Sequence, residues 1–134
     1  MADDLRIVTV DDSRVALAQL ESVVDGVEGA EVVGSVRDGA SAIRAVAELE
    51  PDLVMMDIVM PDMDGLSALR VIMANHPEVR VALVTSLGGS GSHAEEAFRL
   101  GAIQVIAKPF EPELIEALVE GEREHRDAES KRGS

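Results

Sequence analysis

Four short apolar runs in this chain stop abruptly at residues that can meet a phosphate or a cation. Ile7-Val8-Thr9-Val10 runs into Asp11-Asp12, and Leu53-Val54-Met55-Met56 into Asp57. Val81-Ala82-Leu83-Val84 runs into Thr85-Ser86, and the run from Ile103 to Ala107 into Lys108-Pro109. A strand covered on both faces has no polar side to show, so unbroken runs of this kind mark a parallel sheet packed between helices. In open α/β sheets, ligands bind beyond the carboxyl ends of the strands. The four run-ends, spread from Asp11 to Lys108, are therefore expected to meet at one sheet edge.

Between the runs the pattern changes to helical spacing, and strand and helix alternate five times. Leu5–Val10 reads as the first strand and Ser13–Val24 as the first helix, closed by the Gly26 to Gly29 region. Glu31–Val36 is a second strand, followed by a helix from Asp38-Gly39 to Glu50, where Pro51 stops it. After the third strand, Leu53–Met56, the loop Pro61 to Gly65 leads to a helix ending near Asn75-His76-Pro77. Arg80–Ser86 is a fourth strand, Gly88 to Gly91 a flexible loop, and His93–Leu100 a short helix closed by Gly101. Ile103–Ala107 and a helix beginning at Pro112–Val119 complete the series. Such alternation requires right-handed crossovers and a parallel sheet with helices on both faces.

At 134 residues the chain is expected to be one domain, 1–120, followed by a polar segment, 121–134. That segment reads as a frayed helix end and solvated tail, or alternatively as the stump of a linker to another domain. Phe98 and Phe110 are the only aromatic rings apart from histidine, which leaves no platform for base stacking. A net charge of −14 opposes binding to a phosphate backbone, so no direct nucleic-acid partner is expected. No cysteine is present for a disulfide or thiolate metal site. No stretch approaches the roughly 20 apolar residues of a membrane span, and the acidic N-terminus lacks a signal-peptide pattern. The expected setting is the cytoplasm.

The chemistry concentrates at the run-ends. One acid or hydroxyl at residues 12–13 suffices to cap the first helix, so Asp11 and Asp12 together exceed that need. With Asp57 they form a carboxylate cluster, and two unit charges about 4 Å apart repel by roughly 4 kcal/mol at an effective dielectric of 20. A hard cation relieves this repulsion, and Mg²⁺ is commonly held by one or two carboxylates plus a phosphate. Asp57, at the exit of a buried strand, suits a ligand or a nucleophile that forms an aspartyl phosphate. Lys108, one of only two lysines, is placed to pair with Asp57 and steady phosphate oxygens as a compact charge. The hydroxyl of Thr85 can donate to one of those oxygens.

From Leu5 to about Val119 the chain resembles the receiver domain of two-component response regulators. The matching motifs are Val10-Asp11-Asp12-Ser13, Asp57 through Gly65, Thr85-Ser86 and Lys108-Pro109-Phe110, in that order. The resemblance implies a flavodoxin-like (βα)5 three-layer sandwich with strand order 2-1-3-4-5. It implies that Asp57 accepts a phosphoryl group from a sensor histidine kinase, a phosphotransfer protein or a small donor such as acetyl phosphate. Asp12, Asp57 and the Val59 carbonyl would ligate Mg²⁺, with Mn²⁺ as a substitute, and Asp11 would act through a bound water. Lys108 and Thr85 would hold the phosphoryl oxygens, and a cis Lys-Pro bond is typical of the family. The output would be a switched interaction with a downstream protein target or effector domain.

Two departures qualify the resemblance. Where the family often carries an aromatic switch residue, three positions before the lysine, this chain has Val105. The two positions that tune autodephosphorylation in the family are occupied by Val59 and Leu87, which are apolar and unable to orient water; a long-lived phosphorylated state is expected. The chief alternative is a phosphohydrolase with an aspartate nucleophile. Those enzymes carry a second aspartate two residues later, where this chain has Val59. The segment Gly89 to Ala94 fits G-x-G-x-x-A, but a dinucleotide fold needs that loop after its first strand; here it reads as a loop that moves with phosphorylation.

Overall fold

The computed structural model describes residues 3–87 and 91–132. Five strands and five helices alternate: β1 Leu5–Val10, α1 Arg14–Asp25, β2 Ala30–Val36, α2 Gly39–Leu49, β3 Leu53–Met56, α3 Gly65–Asn75, β4 Arg80–Thr85, α4 Ser92–Arg99, β5 Gln104–Ala107 and α5 Pro112–Arg132. The sheet is wholly parallel in the order β2-β1-β3-β4-β5, as the resemblance implies. Residues 88–90 of the glycine-rich loop, expected to be flexible and to move with phosphorylation, lie outside the described residues.

Strand side chains alternate between two apolar layers, which is why the runs carry no polar face. Val8, Val10, Val54, Met56, Val81 and Leu83 pack with Val46 of α2 and Leu69 and Ile72 of α3. On the opposite face Leu5, Ile7, Leu53, Met55, Ala82 and Val84 pack with Leu20 and Val24 of α1 and Ile115 and Val119 of α5. Full burial of such side chains contributes about 1.5–3 kcal/mol each relative to exposure.

Local signals set the helix starts. Ser13, Asp38 and Asp64 cap α1, α2 and α3, each accepting a backbone N–H three residues on. Gly101, at φ +112, takes the left-handed conformation expected after α4.

The polar C-terminal segment differs from its expectation as a frayed end: α5 continues as a helix to Arg132. The apolar stripe ends at Val119, but ionic contacts with the amino-terminal rim of the sheet replace it. Arg80, which opens β4, donates from Nε to Glu122 Oε1 at 2.8 Å and from Nη2 to Oε2 at 3.3 Å. Glu122 is only 8% exposed. One turn later Arg126 lies 3.6 Å from Asp52, just before β3. Among the described residues, no helix is long and apolar enough to cross a membrane.

Candidate functional site

Strand register brings the predicted residues together. β1 and β3 pair through Val10 and Met56, so Asp11 and Asp57 leave the sheet side by side. β4 and β5 pair through Thr85 and Ala107, which puts Lys108 directly past the edge. Asp11, Asp57 and Thr85 are buried, whereas Asp12 is exposed at the mouth. One carboxylate oxygen from each of Asp11, Asp12 and Asp57 lies within 4.8 Å of the others.

The lysine bridges two of the acids. Lys108 Nζ donates to Asp57 Oδ2 at 3.0 Å and to Asp11 Oδ2. The remaining carboxylate oxygens accept backbone N–H groups, Asp57 Oδ1 from Val59 at 3.2 Å and Asp11 Oδ1 from Ser13 at 2.9 Å. Burial alone pulls the Lys108 ammonium toward its neutral form, but hydrogen bonds and charge from Asp11 and Asp57 outweigh it and raise its pKa above the ordinary 10.5. A raised folded pKa stabilises the fold below the unfolded value; that contribution is lost as alkali passes the folded one. At neutral pH the bridge is intact.

One ammonium against three carboxylates leaves the pocket acid-rich. Hard oxygen donors at this spacing, two of them buried, suit a small divalent cation such as Mg²⁺. The described residues contain no other group of three histidine or acidic side chains spaced for a metal.

Thr85 ends β4 with its hydroxyl accepting the Leu87 N–H at 3.2 Å, and its carbonyl accepts the Lys108 N–H at 2.9 Å. The Lys108-Pro109 peptide is cis. Val59 and Leu87 stand at the rim, 52% and 40% exposed. Val105, at the position of the family's switch residue, is buried on β5 and packs in the same apolar layer as Leu83.

Two residues matter here whose roles sequence patterning did not give. Gly65 donates its N–H to the Ile58 carbonyl at 2.7 Å, and a Cβ on it would fall 2.1 Å from the Asp57 carbonyl oxygen. It therefore supports the backbone that carries Asp57; in sequence it closes the loop and the motif Asp57 through Gly65, which give it no role of its own. Arg37, at the end of β2, places its guanidinium on the Asp12 carbonyl. A lone arginine in a polar stretch carries no sequence signal for this.

A doubly wound α/β domain with an acid trio and a lysine past the carboxyl ends of its central strands defines a class: small modules with an acidic, cation-compatible pocket at the carboxyl edge of a parallel sheet. Residues 7–120 match the response regulator receiver domain, and the chain belongs to that family. Over 105 residues it is 42% identical to a protein-glutamate methylesterase/protein-glutamine glutaminase of Myxococcus xanthus, covering 78% of this chain and 30% of the relative. A protein of the same description from Thermotoga maritima is 37% identical over 125 residues, covering 85% of this chain and 36% of the relative. The chain thus spans about a third of the length of these curated relatives. Among solved structures, the response regulator domain of Thermotoga maritima CheB aligns with a TM-score of 0.81 at 34% identity, covering 90% of this chain and 95% of that one. The CheX-CheY-BeF3-Mg complex of Borrelia burgdorferi aligns at 0.79 and 27% identity, covering 84% of each chain.

Proposed function

We propose that this receiver domain accepts a phosphoryl group on Asp57 in a Mg²⁺-dependent reaction and thereby switches its interaction with a downstream protein or effector domain. The observation that carries the reading is the Asp57 carboxylate, buried against Lys108 and within 4.8 Å of the other two acids. Asp12, Asp57 and the Val59 carbonyl would hold the ion, and Asp11 would act through a bound water. The ion would neutralise charge on the phosphoryl oxygens during transfer.

This chain's own residues supply the rest. An Asp57 oxygen forms the new P–O bond while the bond from phosphorus to the donor breaks, the leaving group departing as imidazole or acetate. Lys108, held at Asp57, faces the transferred oxygens as a fixed positive charge. Thr85 Oγ1 accepts the Leu87 N–H, which leaves its own O–H to donate to a phosphoryl oxygen, and drawing the hydroxyl toward that oxygen would start the switch. Phosphoryl transfer depends mainly on positioning and charge neutralisation, and this set supplies both. We assign no turnover chemistry to the domain beyond its own phosphorylation and dephosphorylation.

The donor would be a sensor histidine kinase or phosphotransfer protein in the cytoplasm. Output through a protein target, or through an effector domain attached after residues 1–120, agrees with the net charge of −14, which opposes a nucleic-acid partner. Likeness to protein-glutamate methylesterase/protein-glutamine glutaminases, about a third of whose length this chain spans, supports the same output. Incubation with Mg²⁺ and acetyl phosphate tests the reading: intact-mass analysis is expected to show one phosphoryl addition, lost when EDTA is present. A protein unchanged by the donor, or modified equally without divalent ions, contradicts it.

The rim predicts how long the modification lasts. Val59 and Leu87 bring two exposed apolar side chains to the pocket mouth, where attacking water must enter. Neither can orient that water, so the acyl phosphate is expected to decay slowly. Val59→Asn and Leu87→Glu are each expected to speed decay about tenfold, below the roughly 10²–10⁴-fold of full acid–base catalysis. Phosphate release followed over time checks this; a wild type that decays as fast as both variants contradicts it.

A further inference from the structure

We infer that Arg37 is a positioning residue for the cation ligand Asp12; the inference rests on the Mg²⁺ reading of the pocket given above. Its Nη2 and Nε donate to the Asp12 carbonyl oxygen at 2.9 and 3.3 Å. That carbonyl lies just outside α1 because Ser13, not Asp12, is the cap. The first helical donors go to Ser13 instead, Ala16 N–H to its Oγ at 3.2 Å and Leu17 N–H to its carbonyl at 3.1 Å. Asp12 is thus left with a carbonyl that the helix does not use, and the arginine fork fills it.

The turn is pinned from three directions. The Asp11 N–H donates to the Val36 carbonyl at 3.1 Å, and the Ser13 N–H donates to Asp11 Oδ1 at 2.9 Å. Arg37, next in sequence to Val36, closes the third side at Asp12 itself. Asp12 is the exposed member of the acid trio, so packing constrains it less than Asp11 or Asp57. Charge-assisted donation from a planar, preorganised fork is well suited to hold such a peptide. It keeps the Asp12 carboxylate turned toward the other two acids before any ion arrives.

This role has a sign that bulk charge does not share. Arg37 is a cation near a cation site, so as a charge alone it repels Mg²⁺, and its removal would tighten binding. As an anchor of the Asp12 peptide it favours binding, and its removal weakens it.

The test is calorimetric titration of the full chain with Mg²⁺ alone, with no phosphodonor. Arg37→Ala is expected to weaken binding about three- to tenfold, less than the roughly 10–100-fold seen for outer-shell partners of metal sites because this bond is solvent-exposed. Arg37→Lys keeps the charge and one donor and is expected to recover part of the loss. Arg44→Ala removes an equal charge from α2 and is expected to bind no more weakly than wild type. The Mg²⁺ concentration for half-maximal phosphorylation should rise in Arg37→Ala by the factor that calorimetry gives. Unchanged or tighter binding in Arg37→Ala, or equal weakening in Arg44→Ala, overturns the inference while the metal reading stands. A wild type that binds no Mg²⁺ overturns both.

Discussion

Asp57→Asn is expected to abolish the phosphoryl adduct completely while leaving the ion-free protein folded and about 1 kcal/mol more stable. The first part follows from chemistry, since a carboxamide is not a competent nucleophile toward phosphorus at neutral pH. The second follows from a balance of charges. Asp57 shares its pocket with Asp11 and Asp12, all three within 4.8 Å. At an effective dielectric of 20, two unit charges 4 Å apart repel by roughly 4 kcal/mol. Against this relief stands the lost charge-assisted bond from Lys108, of about 1.5–3 kcal/mol. Asparagine retains an oxygen that can accept from the lysine, so the net change favours the variant. Intact-mass analysis after acetyl phosphate treatment and thermal unfolding in EDTA measure the two parts. An adduct retained by the variant would move the acceptor role to another side chain, and a variant less stable than wild type would mean that Lys108 outweighs the repulsion.

Gly65→Ala is expected to cost about 3 kcal/mol of stability and to slow phosphorylation at least about tenfold. An added Cβ would lie 2.1 Å from the Asp57 carbonyl oxygen and 2.8 Å from Ile58 Cα. Both are backbone atoms, so no side chain can rotate away; either α3 or the Asp57 segment must move. Overpacking of this kind typically costs about 1–3 kcal/mol, occasionally more. A displaced segment also carries the nucleophile out of line with Lys108, and positional errors of about 1 Å cost around 10²-fold in well-aligned reactions. Gly121→Ala provides the contrast. Its Cβ meets nothing within 4 Å on α5, so the change is expected to stabilise by about 0.5–1 kcal/mol. Chemical denaturation and the rate of adduct formation, compared between the two variants, decide the matter. A Gly65→Ala protein as stable and as reactive as Gly121→Ala would show that the loop yields freely.

The legible part of the molecule was the part governed by continuous patterns. Val10, Met56 and Ala107 each end an apolar run, so the polar residue that follows had to stand at the sheet edge, and Asp11, Asp57 and Lys108 do. Periodicity does not say which strand lies beside which, and the order β2-β1-β3-β4-β5 came from motif resemblance. The length of α5 was not legible because Glu122 is buried by an arginine forty-two residues away. Composition shows polar residues there and nothing of their partners. The motif Asp57 through Gly65 marks the glycine but not its contact with the Asp57 carbonyl, and the reach of Arg37 to Asp12 leaves no mark at all. Both contacts depend on how two segments approach through space, which local sequence does not encode.

The ion pairs beneath the sheet give α5 a mechanical character. Its first turn follows four residues after Lys108, and its far half is tied to Asp52 and Arg80. Those residues sit at the opposite ends of the two strands that lead to Asp57 and Thr85. The helix is therefore a strut fastened at both ends of the same ribbons, and it can swing as a rigid rod only by parting Arg80 from Glu122 and Arg126 from Asp52. Dissolved salt loosens that rod little, because Glu122 is buried and ions screen buried pairs far less than exposed ones.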